Sequence, residues 1–137
     1  MIQAKEDLEM GCDIHCHCEV KIYGVWHHYS VVELQRDYVL FARMANVRNH
    51  NNTVPIAEPR GLPEDICLLT QLSSDSWCSN GHSYSWLSID ECQTLVKDEA
   101  IKENFSNDIK SLFDYWHSEG SWSNDLEQAR LVFWFDN

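Results

Sequence analysis

The sequence predicts an α+β domain: an N-terminal β-hairpin and a C-terminal strand in one antiparallel sheet, with several helices packed on it. Three observations predict it. Residues 12–22, CDIHCHCEVKI, alternate strictly between two kinds of side chain. The run at residues 129–135, ARLVFWF, is β-prone and too continuously apolar for an exposed edge. Between them lie capped segments that read as helices.

Alternation at period two marks a half-buried strand, because successive side chains point to opposite faces. Cys12, Ile14, Cys16, Cys18, Val20 and Ile22 take one face; Asp13, His15, His17, Glu19 and Lys21 take the other. Tyr23-Gly24 signals a turn, and residues 25–34 continue as the second strand of a hairpin. His27 and His28 fall on opposite faces of that strand, so only one joins the polar row. Asp37 is placed to cap a short helix, YVLFARMA. Residues 48–64 read as a long loop rich in Asn and Pro, within which Pro59-Arg60-Gly61-Leu62-Pro63 fixes a rigid turn. Residues 64–72 read as a short helix and 73–85 as a polar loop. Ser88-x-x-Glu91 is a capping box, opening a helix to about residue 103, and a second helix occupies about 108–117, stopping before Gly120. The apolar run near the C-terminus belongs inside the sheet, beside the hairpin.

The length of 137 residues suits one domain, residues 10–137, preceded by a polar extension at 1–9. No run is long and apolar enough to span a membrane, and the N-terminus lacks the apolar core of a signal peptide. A cytoplasmic setting is therefore expected, in which the six cysteines stay reduced. A net charge of −12 and a pI near 4.8 exclude general nucleic-acid binding through a basic face. Such an acidic surface serves solubility, docks on a basic partner, or mimics a nucleic-acid backbone. The charge is uneven. Residues 36–60 hold Arg36, Arg43, Arg48 and Arg60 against Asp37 and Glu58, a net +2 that leaves −14 to the rest. Arginine suits forked contacts with phosphate or carboxylate, so Arg48 and Arg60 are candidate anion-binding residues. The alternative is pairing with the abundant surface acids.

Asp13-x-His15-x-His17 carries the chemistry. Carboxylate and neutral imidazole ligate divalent ions, zinc above all, and two ligands at i and i+2 on a strand reach one ion. The expected metal set is Asp13 and His15, joined by His82 and Asp75 from the polar loop. His17 or Glu19 then handles the proton of a bound water as the catalytic group. Cys12, Cys16 and Cys18 form a competing metal set, but their C-x3-C-x-C spacing is no paired knuckle and they share a face with Ile14, Val20 and Ile22. Core packing is the expected role for them. Cys67 and Cys92 read as helix core residues, and Cys78 is the one candidate nucleophile. Trp77, Trp86, Trp116 and Trp122 read as core or rim aromatics, with stacking on a base or sugar as the alternative.

A set of ordered segments carries a family resemblance: Gly11-Cys12-Asp13-Ile14-His15, Arg36-Asp37-Tyr38, Leu40-Phe41, Pro59-Arg60-Gly61-Leu62-Pro63, His82-Ser83-x-Ser85-Trp86-Leu87 and Val132-Phe133-Trp134-Phe135. Together they resemble a group of small proteins encoded mainly by tailed bacteriophages and by some bacteria. The resemblance carries no catalytic residue across. It implies a bacterial host cytoplasm and a role in phage–host conflict. DIHCH is also similar to the opening strand of metal-dependent phosphoesterases built on TIM-like barrels, a likeness of a few residues in a chain too short for such a barrel.

Three functions fit this reading. The first is a small metal-dependent phosphoesterase acting on a nucleotide or another phosphate ester, with Arg48 and Arg60 on the phosphate. The second is a non-enzymatic acidic counter-defence inhibitor, of an anti-CRISPR-like or nucleotide-sequestering kind, that binds a basic host immune factor or a nucleotide signal. The third is an assembly module whose polar row is merely exposed. None needs direct nucleic-acid or membrane contact.

Overall fold

The alternating segment forms strand β1, Asp13–Ile22, in the computed structural model of the chain, which describes residues 11–101 and 126–136. Tyr23 and Gly24 turn the chain at φ 50° and 78°, the left-handed geometry of a two-residue hairpin loop. Strand β2, Val25–Val32, returns antiparallel to β1. Cys18 opposes Ser30 while Glu19 opposes His28, so Tyr29 is the extra residue of a bulge.

Helix α1, Tyr38–Ala45, begins where the Asp37 carboxylate accepts hydrogen bonds from the Val39 and Leu40 amides, and ends at Asn46 in the left-handed conformation, as the sequence predicts. Helix α2 spans Leu68–Asp75, strand β3 Gly81–Ser88, helix α3 Ile89–Val96 and strand β4 Leu126–Asp136. Ser88 and Glu91 make the reciprocal bonds of a capping box at the start of α3. The sheet is antiparallel throughout, in the order β2-β1-β4-β3. The apolar β4 therefore lies inside it, flanked by β1 and β3.

Register decides the core. Ile14 opposes Phe135, Cys16 opposes Phe133, Cys18 opposes Leu131 and Val20 opposes Ala129, so the apolar sets of the two central strands share one face. Leu40, Phe41, Met44, Cys92 and Leu95 from α1 and α3 join them in one buried cluster. Phe41 meets Phe135 edge-on at 5.1 Å between ring centroids. Cys12, Cys16, Cys18 and Cys92 are buried there as free thiols. Burial pushes Cys12 up to about 11 and Cys18 to about 12, and holds Cys16 and Cys92 high as well, so all four stay protonated. They behave as the small hydrophobes the alternation predicts.

Four elements differ from the sequence reading. Residues 81–88, mostly within the expected polar loop, are an edge strand, with Ser85 and Leu87 buried on the core face. Gly, His and Ser are weak strand formers, and the long apolar β4 supplies the pairing that propensity does not. Helix α2 starts at Leu68 rather than near residue 64, because the Cys67 amide is taken by the Glu19 carboxylate at 3.2 Å. Cys67 thus sits at the N-cap of α2 instead of in a helix core. β2 ends at Val32, two residues early, and α3 at Val96. The expected extension at 1–9, the helix at 108–117, Trp116 and Trp122 lie outside the described residues.

Asp37 supports α1 through two amide bonds from a buried position. Asp37→Ala is expected to lower stability by about 1 kcal/mol, read as a reduced urea midpoint with an unchanged slope.

Candidate functional site

The polar row of β1 lies on the face opposite the core, and its centre, His17 and Glu19, is buried. Register places His15 across from Trp134, His17 from Val132 and Glu19 from Arg130 on β4. On the other side, His28 opposes Glu19 and Trp26 opposes Lys21 on β2. Helix α2 covers this face: Thr70 and Ser74 are buried, and Cys67 donates its amide to Glu19. Glu19 is fully buried and His17 is 6% exposed.

Glu19 and Arg130 form the centre of the row. Arg130 Nε and Nη2 donate to Glu19 Oε1 at 2.9 and 2.7 Å. Nη1 donates to Asp65 Oδ1 at 2.8 Å, and the guanidinium lies 3.7 Å from the centroid of the Trp26 ring. The Trp26 indole N–H donates to the other Asp65 oxygen at 3.0 Å, closing the network. Burial alone would raise the Glu19 carboxyl; hydrogen bonds from Cys67, Thr70 and Arg130 outweigh it and hold the group below the ordinary range. The Arg130 hydrogen bond likewise lowers Asp65. Glu19 is therefore an ionised structural partner, with Cys67 on one oxygen and Arg130 on the other.

His17 Nδ1 and His28 Nε2 share one hydrogen bond at 3.0 Å, so His28 is the histidine of β2 that joins the row. His17 also stacks on Trp134 at 5.3 Å. Burial, and then the neighbouring His28, lower His17 to about 4. His15 Nε2 donates to Asp136 Oδ2 at 3.1 Å, and its ring lies 4.0 Å from that of Trp77. Ile14 to His17, Val31 to Glu33 and Ser73 line a small cavity of about 190 Å³ at this end of the row. The Trp134 indole N–H is buried without a hydrogen-bond partner among the described residues.

The expected metal ligands are not brought together. Asp13 points to Arg36 at 3.0 Å, with both side chains about half exposed. His82 opposes Phe135 and so lies on the core face, across the sheet from His15. Its Nδ1 engages the Ser83 hydroxyl at 3.0 Å, and Ser83 sits at φ 55° where the β3–β4 ladder is interrupted. Asp75 is the last residue of α2 and accepts from Gln71 at 2.8 Å. Among the described residues, no three His, Cys, Asp or Glu side chains converge where one ion could be held. The candidate nucleophile, Cys78, is exposed, with its sulfur 3.4 Å from the Asp75 carbonyl.

The two anion-binding candidates are also separate. Arg48 lies 5.5 Å from the Tyr38 ring, and the Tyr38 hydroxyl accepts from the Cys12 amide at the start of β1. Arg60 lies at the far side of β3, in the rigid turn. Its amide donates to the Ser85 hydroxyl, and the next amide, of Gly61 at φ 83°, donates to the Tyr84 carbonyl at 2.8 Å. Only a glycine takes that backbone geometry without strain, which lets the turn cover part of the free edge of β3. The Arg60 guanidinium then forks onto both Glu91 oxygens at 2.8 and 2.6 Å and lies 4.7 Å from the Trp86 ring. That contact holds the Glu91 carboxyl down near 2.

Sequence reasoning did not single out Arg130, Asp65 or Trp26. One signal for Arg130 was present: it is the only charged residue in ARLVFWF, and a buried strand admits a charge only beside a partner. No family model, no curated protein and no solved structure matches the chain.

The buried His17 gives the fold an acid limit. Its folded value near 4 lies below the ordinary 6.5, so the unfolded chain binds the proton more readily. Stability is complete above 6.5 and falls as pH drops toward 4. Glu19, held below its ordinary 4.5, adds a further loss below that value. His17→Phe is expected to flatten the stability profile between pH 6.5 and 4.5, measured by urea unfolding at successive pH values. A slope unchanged from wild type would assign the acid sensitivity to other groups.

Proposed function

We propose that the chain is a non-enzymatic acidic binding protein that docks a basic protein partner on the outer face of α2. The observation that carries this reading is the exposure of Leu68, Leu69 and Leu72, at 73, 56 and 57%, on one short helix. Leu68 and Leu72 are one helical turn apart and Leu69 lies beside them, forming a single stripe. Residues 61–96 contain no Lys or Arg and five acids: Glu64, Asp65, Asp75, Asp90 and Glu91. Two of these acids are already paired, Asp65 with Arg130 and Glu91 with Arg60, so the complement is an apolar surface carrying Lys or Arg, drawn to the chain by its net charge of −12. The resemblance to phage-encoded proteins implies a host factor as that partner, in a counter-defence role.

The phosphoesterase reading asks for a metal-ligand set and a free proton acceptor. In this structure the groups of the polar row are paired with Arg36, Asp136, His28 and Arg130 from other segments, and the described donors do not meet at one point. The binding reading needs neither. It uses the surface that the internal pairs leave over.

The test is titration of the full chain with a synthetic amphipathic helix of Leu and Lys, against the Leu68→Ser, Leu72→Ser double variant. The double variant is expected to bind about tenfold more weakly, with melting unchanged, and raised salt is expected to weaken wild-type binding. Equal affinity in the double variant would refute docking on α2.

A further inference from the structure

A cavity of about 940 Å³ opens at the opposite end of the polar row from Asp13. Trp26 from β2 and Trp86 from β3 line it, Arg130 forms part of its wall, and the turn carrying Arg60, Glu64 and Asp65 closes one side. Its volume suits a nucleotide or a short peptide segment. Charge decides between them.

Three cations and three carboxylates line the cavity: Lys21, Arg60 and Arg130 against Glu64, Asp65 and Asp90. Two of the cations are already matched from behind. Arg60 is forked onto Glu91, and Arg130 is held by Glu19 as well as Asp65. With Glu19 and Glu91 counted, the site holds two more negative charges than positive. Both indoles, moreover, already show that they receive guanidinium groups: Arg130 lies against Trp26 and Arg60 against Trp86. Tryptophan faces beside carboxylates without an ion-pair partner among the described residues, here Glu64 and Asp90, favour a further cation. A phosphate would meet a net negative site whose two arginines are already paired with carboxylates, with Lys21, 6.0 Å from the Trp26 ring centroid, as the remaining lining cation.

We propose that this cavity receives an Arg or Lys side chain of the partner, seated between Trp26 and Trp86 with its charge on Glu64 and Asp90. The inference deepens the docking reading and rests on it for the source of the side chain. Only two residues separate Asp65 on the cavity rim from Leu68 on the stripe, a span of at most about 10 Å. One basic, apolar-faced segment can therefore engage both.

The test observes the cavity without the stripe. The indole N–H signals of Trp26 and Trp86 are followed by NMR in the full chain while N-acetyl-arginine methylamide, or separately AMP, is added. The arginine derivative is expected to shift both signals saturably, AMP to leave them in place, and the Glu64→Gln, Asp90→Asn double variant to weaken the arginine response at least fivefold. Both substituted side chains are exposed or at the rim, so the variant keeps the fold. Saturable shifts with AMP and none with the arginine derivative would overturn the proposal in favour of an anion site. Silence with both, or an undiminished response in the variant, would overturn it as well. The Leu68 and Leu72 experiment reads a different surface, so loss of the cavity proposal leaves the docking reading standing and is distinguishable from its failure.

Discussion

Glu19 and Arg130 face each other across the two central strands, and the second layer of the molecule is built on that pair. Removing an ion from water costs several kcal/mol even after relaxation, so neither side chain is tolerable there alone. The surroundings offset the cost. Glu19 takes the Cys67 amide on one oxygen and Arg130 on the other, while Arg130 extends to Asp65 and lies on Trp26. Each contact fixes an element. The Cys67 bond sets where α2 begins, the Asp65 bond holds the turn before it, and the Trp26 stack ties in the edge strand. The sheet thus acquires a covered face that its apolar residues alone would not produce.

This constraint shapes what the surface can do. A row of Asp, His, His and Glu on one strand carries the residues of a hydrolytic site, yet here it is consumed in pairs: Asp13 with Arg36, His15 with Asp136, His17 with His28, and Glu19 with Arg130. With Thr70 and Ser74 buried against the sheet, α2 leaves its leucines in solvent. That exposed stripe, in a chain of net charge −12, is what the proposed docking reading rests on.

The parts legible in the sequence are those fixed by local rules. Period two separated the core face of β1 from its polar face, Asp37 and Ser88 announced their helices, and the run 129–135 announced a central strand. Non-local causes hid the rest. β3 exists because β4 offers it an edge, and Gly81-His82-Ser83 gives no hint of that. The start of α2 is set by a carboxylate 48 residues earlier in the chain. The polar row was legible as a row, but its partners were not, since cross-strand register joins Glu19 to a residue 111 positions away. His82 fell on the wrong side for His15 for the same reason: facing follows from the pairing with Phe135, which no local pattern shows.

The most direct test of the keystone role is a double-mutant cycle on Glu19→Gln and Arg130→Met, with stability read by urea unfolding. If the pair organises the polar face, the single substitutions are costly, the double costs much less than their sum, and the coupling energy is about 2 kcal/mol or more. Effects that add to within about 0.5 kcal/mol would contradict the account, showing two independent side chains where it requires one unit.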